Sequence, residues 1–293
     1  MIHLDKKFKR YIESLAAQHN FLPTLLEKDY YLTLILNEIN FLSNKLIFKG
    51  GTCLNKIYFN YFRLSEDLDF IMEINDNNIN RKQRKELIKP LKDNISVLIN
   101  KYGLKIDNIN SRGFNESKQY LFIIQYNSVF YESIQNIKLE VSIRVKHLME
   151  PEIKMINHVF VHPFTNEPVL KYEKIKCLNL LEAVAEKLRA AATRKDIAPR
   201  DFYDLYYISR IKPELWNAQL LKIFLEKLNE DGFVNNPEKY IKNLGRNKIE
   251  IDNMKNLIDL ELLSVLKNEE KAIFNINIAL EVINRNYLKM LDK

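Results

Sequence analysis

The run Asp67-Leu68-Asp69-Phe70-Ile71-Met72-Glu73-Ile74 constrains the fold more than any other stretch of the chain. Leu68, Phe70, Met72 and Ile74 alternate with Asp67, Asp69 and Glu73, which is the period of a half-buried strand. Both aspartates therefore face the same side. Two like charges that close are costly to bury unless a cation neutralises them. Just upstream, Gly50-Gly51-Thr52 precedes a short helical stretch at about 53–61.

Other segments supply a mixed sheet and its cover. Segments 104–110, 119–127 and 136–146 read as strands; in the last, Ile137, Leu139, Val141, Ile143 and Val145 alternate with Lys138, Glu140, Ser142, Arg144 and Lys146. Residues 4–19, 24–40 and 80–101 have helical spacing, and Pro90 is expected to kink or divide the third helix. Pro151, Pro163 and Pro168 break up residues 149–176, which places a domain junction there. Beyond it the chain reads as helix, over about 178–194, 200–210, 215–229, 237–245 and 250–291, with a break near Lys267–Asn268. The expected architecture is α+β: a mixed β-sheet domain with flanking helices over 1–170, then an all-helical domain over 171–293.

Composition excludes several classes. A hydrophobic content of 46% with only 6 Gly and 8 Pro rules out a low-complexity chain. The two cysteines, Cys53 and Cys177, lack metal-site spacing and suit a reduced compartment. Residues 1–7 have no apolar signal core, and no apolar run approaches the roughly 20 residues a membrane helix needs, so a cytoplasmic protein with no membrane partner is expected. The net charge of +7 is compatible with a nucleic-acid partner without requiring one.

The aspartate pair and the glycine turn make chemical sense together. Glycines let backbone approach a phosphate, and a helix N-terminus offers free N–H groups to it. Mg²⁺ prefers oxygen ligands and shares them with substrate phosphates. A nucleoside triphosphate on Gly50, Gly51 and Thr52, with a metal on Asp67 and Asp69, is thus the reading of the stretch. Gly51 is the expected point of close approach or positive φ. Glu140, on the polar face of another strand, is the candidate third carboxylate. No P-loop pattern is present. An isolated Asp-x-Asp is usually a solvated strand end; its pairing with the glycine turn is what points to chemistry.

The segment KGGTCLNKIYFNYFRLSEDLDF, residues 49–70, resembles the first motif of nucleotidyltransferase toxins of the AbiEii/AbiGii type, within the DNA polymerase β-like nucleotidyltransferase superfamily. Arg63 and Ser65 match an Arg-x-Ser-x-Asp-x-Asp form, and 14 residues separate Thr52 from Asp67, a spacing that suits this branch. EKDYYLTLIL (27–36) is similar to that family's N-terminal helix, and LEAVAEKLRAAATRKDIAPRDFYDLYYI (181–208) to its later motifs.

The resemblance implies a Mg²⁺-dependent (or Mn²⁺-dependent) transfer of NMP from an NTP, with tRNA as the leading acceptor. It also implies a toxin role in a toxin–antitoxin or phage-defence pair, with a cognate antitoxin protein as partner. Asp67, Asp69 and Glu140 would be the metal and catalytic residues. Lys187 and Asp204 would join them, and Arg63, Ser65, Lys187, Arg200 and Asp201 would serve the nucleotide, in a cleft between the two domains. Asp201 and Asp204, three apart on a helix, could hold Lys187 or Arg200. Protein or small-molecule acceptors, and a non-catalytic nucleotide- or RNA-binding module, are the alternatives. The basic helix 80–101 could meet RNA phosphates; Tyr203, Tyr206, Tyr207, His158 and His162 read as structural.

Overall fold

The computed structural model describes residues 6–76, 78–143 and 146–292. The chain forms two units, one running to Leu178 and the other starting at Asn179.

The first unit opens with α1 (Lys6–His19) and α2 (Pro23–Leu36), followed by the short α3 (Ile39–Leu42). β1 (Leu46–Lys49) leads directly into α4 (Gly50–Cys53), and β2 (Leu68–Met72) is followed, after residues 73–80, by α5 (Arg81–Tyr102). β3 (Lys105–Ile106), β4 (Arg112–Phe114), β5 (Gln119–Asn127) and β6 (Ile134–Ser142) follow, then β7 (Glu152–Met155) and β8 (Lys174–Cys177). These strands make one eight-stranded mixed sheet in the order β3-β5-β6-β2-β1-β8-β7, with β4 paired to β5. β2 lies antiparallel to β1 and parallel to β6. It is central, which explains why Ile71, on the Asp69 side of the strand, is buried as fully as Leu68 and Phe70.

The core is aromatic where helices meet sheet. Tyr31 of α2 stacks on Tyr126 of β5 with ring centroids 4.2 Å apart, and Phe8 of α1 meets Tyr30 edge-on at 5.0 Å. α5 buries Ile88, Leu91, Ile95, Leu98 and Ile99 along one stripe. A reciprocal Asn80–Gln83 capping box starts it, and Gly103 at φ 64° ends it.

Several expectations change. Pro90 does not divide α5, which stays one helix of 22 residues with Pro90 on its exposed side. β1 and β4 carry too few residues to show a period and were not expected. The segment read as the domain junction, 149–176, holds β7 and all but the last residue of β8, and β8 enters the sheet beside β1, where Phe48 pairs with Cys177. In the expected strand 136–146, Arg144 and Val145 lie outside the described residues, and the described strand closes at Ser142. On the basic helix, Arg84 is buried and donates to the carbonyls of Ile79 and Glu116, whereas Arg81, Lys82, Lys85, Lys89 and Lys92 are exposed.

The second unit is helical: α6 (Leu180–Thr193), α7 (Pro199–Ile211), α8 (Ala218–Glu230), α9 (Tyr240–Gly245), α10 (Lys248–Leu257), α11 (Asn268–Ile273) and α12 (Ile276–Leu291). Its core centres on Phe224, which meets Tyr240 and Tyr287 edge-on, each at 5.8 Å. The break near Lys267–Asn268 is present, and it extends upstream through a wide turn at Ile258–Leu262 and a tight one at Leu263–Val265. Among the described residues no helix is long and apolar enough to cross a membrane.

Candidate active site

The sheet brings the glycine turn and the carboxylates together through strand register. β1 and β2 are antiparallel neighbours with Lys49 opposite Asp69, so the chain leaving β1 at Gly50 starts beside that aspartate. β2 and β6 are parallel, and Asp69 pairs with Glu140. Asp67 stands two residues before Asp69 and so on the same face. Asp67 and Asp69 are half-buried and Glu140 is exposed.

Gly50 adopts φ +77°, the left-handed conformation that disfavours a side chain, and a Cβ there would overlap Asp69 Oδ2. The left-handed residue is thus Gly50, not Gly51 as the sequence suggested. Gly51 is constrained differently, since a Cβ would lie 2.7 Å from Arg63 Nη2 and 3.2 Å from Ser65 Oγ. Thr52 is fully buried, and its hydroxyl donates to the Asp67 carbonyl. That bond ties the start of α4 to the start of the Asp-x-Asp strand. Arg63 is only 2% exposed and donates to the Leu64 carbonyl, so it packs beneath the glycine turn rather than opening to solvent. Ser65 stays half-buried beside Gly51.

Past α4 the helix widens into a π-type turn at Leu54–Tyr58, then reverses through Asn60 and Tyr61, both with positive φ (44° and 62°). A tyrosine in that region is strained. Its hydroxyl is held by Asp29 Oδ2 at 2.6 Å and Lys56 Nζ at 2.7 Å. Lys56 is completely buried, and its ammonium also donates to Thr33 Oγ1 at 2.9 Å and Asp29 Oδ2 at 2.8 Å. Burial pushes Lys56 below the usual lysine range, and Asp29 draws it back.

Two neighbours of Asp29 are also engaged. Lys28 Nζ pairs with Glu66 Oε2 at 3.0 Å, next to Asp67. Glu27 is buried and accepts from Ser128 Oγ at 2.6 Å and the Val129 N–H at 2.7 Å, in the turn between β5 and β6. Burial raises the Glu27 carboxyl above its ordinary range, against the pull of those two donors. Sequence reasoning did not assign these partners. The available signal was three consecutive charges inside an apolar helix, because charges seldom bury without partners.

In the second unit, Lys187 of α6 lies between two carboxylates of α7, 2.7 Å from Asp201 Oδ1 and 2.9 Å from Asp204 Oδ2. Arg194 takes the other Asp201 oxygen at 2.7 Å. Both aspartates are buried while Lys187 keeps 14% of its side chain exposed. Arg200 is half-buried on the first turn of α7. A second buried cation, Lys227 of α8, reaches Glu182 at 2.7 Å, Glu230 at 3.3 Å and Glu186 at 3.8 Å. Burial alone would lower Lys227, but Glu186, Glu182 and Glu230 outweigh it and hold the ammonium above the usual range. That cluster fixes α6 against α8 and was not foreseen.

His158, His162 and Tyr203 are each engaged by partners within their own unit. His158 bonds the Leu170 carbonyl at 3.0 Å and stacks on Tyr172, and His162 accepts from the Phe164 and Thr165 N–H groups. Tyr203 is buried and donates to Glu270.

Among the described residues no three His, Cys, Asp or Glu side chains converge tightly enough to hold a metal ion by themselves. Mg²⁺ is commonly held by one or two carboxylates together with substrate phosphates, so a full protein cage is not required. Asp69 touches the glycine turn itself, and phosphate oxygens seated on that turn would lie where the missing ligands are needed. The donor set fits a metal that comes with a triphosphate.

The family match sets the class: the protein is a nucleotidyltransferase. Residues 34–286 match the family model described as "Nucleotidyl transferase AbiEii toxin, Type IV TA system", and the chain belongs to that family. The fold is similar to that of MenT4, a nucleotidyltransferase toxin from Mycobacterium tuberculosis, with TM-score 0.64 at 16% identity, covering 97% of this chain and 90% of that one. It is also similar to JHP933 from Helicobacter pylori, with TM-score 0.53 at 17% identity over 93% and 94% of the two chains. No curated protein sequence matches the chain.

Proposed function

We propose that the chain transfers NMP from an NTP to the 3′ end of tRNA, with Mg²⁺ or Mn²⁺, as the toxin of a toxin–antitoxin pair that acts in abortive phage defence. The observation that carries the catalytic part is the register: Asp69 faces Glu140 across β2 and β6 while the left-handed Gly50 packs on Asp69. Gly50, Gly51 and Thr52 bind the triphosphate through backbone N–H groups. Asp67, Asp69 and Glu140, together with triphosphate oxygens, would hold the divalent ion, which would activate the attacking hydroxyl and neutralise charge on the leaving pyrophosphate. The bond from Thr52 to the Asp67 carbonyl keeps turn and carboxylate in fixed relation. Arg63 and Ser65 support the turn from beneath.

Lys187 supplies positive charge to the triphosphate, oriented by Asp201 and Asp204, and Arg200 assists nucleotide binding. This assignment rests on the likeness of residues 181–208 to the family's later motifs and on the preformed ion-pair set. Family membership supports a cognate antitoxin protein as partner. The exposed basic residues of α5 would meet acceptor phosphates.

Incubating the protein with total RNA, protein extract and each labelled NTP tests the acceptor. Label confined to tRNA supports the proposal. Label on protein or a small molecule alone would reassign the acceptor, and no label with any NTP would favour a nucleotide-binding module.

A further inference from the structure

We propose that Glu27, Lys28 and Asp29 of α2 form a positioning segment that holds three separate pieces of the active site in mutual register; this rests on the nucleotidyltransferase reading of that site. The three residues open the 27–36 stretch that resembles the family's N-terminal helix, just ahead of the matched residues 34–286.

Each residue reaches a different piece. Glu27 anchors the turn between β5 and β6 through Ser128 and Val129, and β6 carries Glu140. Lys28 pairs with Glu66, the residue that precedes Asp67. Asp29 binds Lys56 and Tyr61, locking the strained reversal that returns the chain from the glycine-turn helix to the Asp-x-Asp strand. One rigid helical turn thus fixes the segments carrying Glu140, Asp67 and Gly50–Thr52. Helix-borne residues hold a site with less positional freedom than loop contacts do.

Glu27 and Asp29 are fully buried, so their loss would confound positioning with unfolding. Lys28 is the informative member. Its side chain is 18% exposed and that of Glu66 34% exposed. Such a partly solvated pair contributes little to global stability, yet small displacements of a catalytic group can cost up to about a hundredfold in rate. A kinetic defect without a stability defect is the signature of positioning.

The test uses the full chain with Lys28→Met, Glu66→Gln and the charge-swapped pair Lys28→Glu with Glu66→Lys. Two readouts are taken: steady-state kinetics with NTP, and hydrogen exchange of the peptide covering residues 62–72. Each single variant should lower kcat by about tenfold or more, with NTP KM within about twofold and an unchanged melting temperature. Exchange at 64–68 should quicken, and the swapped pair should recover both properties. Unchanged exchange in the single variants would overturn the inference. So would a swapped pair that recovers neither property, or a rise in KM without loss of kcat, which would make Lys28 a direct phosphate ligand. If the wild type transfers no nucleotide, the exchange readout alone decides the positioning claim, and the functional reading fails separately.

Discussion

Replacing Gly50 with alanine should damage stability and catalysis through two distinct effects. Gly50 sits at φ +77°, where an L-residue costs about 1–2 kcal/mol. A domain of this size loses roughly 2–4 °C of melting temperature per kcal/mol, so the strain alone predicts a fall of about 2–8 °C. The new Cβ would also overlap Asp69 Oδ2, and backbone on one side and a central strand on the other leave the carboxylate to give way. Displacing a group that must hold a metal by about 1 Å costs on the order of a hundredfold in rate, close to 3 kcal/mol of transition-state stabilisation. Gly50→Asn separates the two effects, because asparagine tolerates the left-handed conformation but still carries a Cβ. Circular-dichroism melts and initial rates of NMP transfer provide the assay. Gly50→Asn should melt nearer the wild type than Gly50→Ala yet be equally inactive. A Gly50→Ala protein with wild-type melting and full turnover would refute the reasoning.

In the second unit, Lys187→Ala should lower kcat by more than it weakens NTP binding, and adding Asp204→Ala should cost less than the product of the two single losses, as measured by steady-state kinetics and nucleotide titration. Lys227→Met strands the buried Glu182 and should destabilise by about 3–5 kcal/mol in urea melts, with Glu182→Gln in the same chain restoring much of it. Burial, with help from Lys56, lowers the His158 imidazole below its ordinary range. The stability it contributes is therefore present above its unfolded value of about 6.5 and lost as pH falls through the folded one. Thermal melts between pH 7 and pH 5 should show that loss, and His158→Gln should flatten it.

The strand carrying Asp67 and Asp69 was legible because a period of two needs only a few residues to show itself, and β6 was legible for the same reason. The family relationship was legible in the glycine turn, the Arg-x-Ser-x-Asp-x-Asp stretch and the Lys187–Asp204 segment. β1 was not, because its four residues lie in the middle of the sheet, largely buried on both faces, and show no alternation; β8 does alternate, with Ile175 and Cys177 buried and Lys174 and Lys176 outward, but four residues are too few to stand out in the proline-broken stretch around it. The choice of Gly50 over Gly51 as the left-handed residue depends on how β1 pairs with β2, which is a long-range fact. The ion pairs of Lys56, Lys28 and Lys227 were hidden for a related reason. Asp29, Glu66 and Glu182 are 27, 38 and 45 residues away from them, and no local pattern links charges at such distances. Pro90 does not divide α5 because a proline on the exposed face of a well-capped helix removes one backbone bond without forcing a break.

The central claim is that Asp67, Asp69 and Glu140 act together as the catalytic carboxylates. The direct measurement is transfer of labelled NMP by purified wild type, Asp67→Asn, Asp69→Asn and Glu140→Gln across a Mg²⁺ titration, with a melt recorded for each. Both aspartate variants should keep wild-type melting or gain slightly, since a repelling charge is gone, and should transfer nothing at any Mg²⁺ concentration; Glu140→Gln should be strongly impaired. A folded Asp67→Asn or Asp69→Asn protein with full Mg²⁺-dependent transfer would contradict the account.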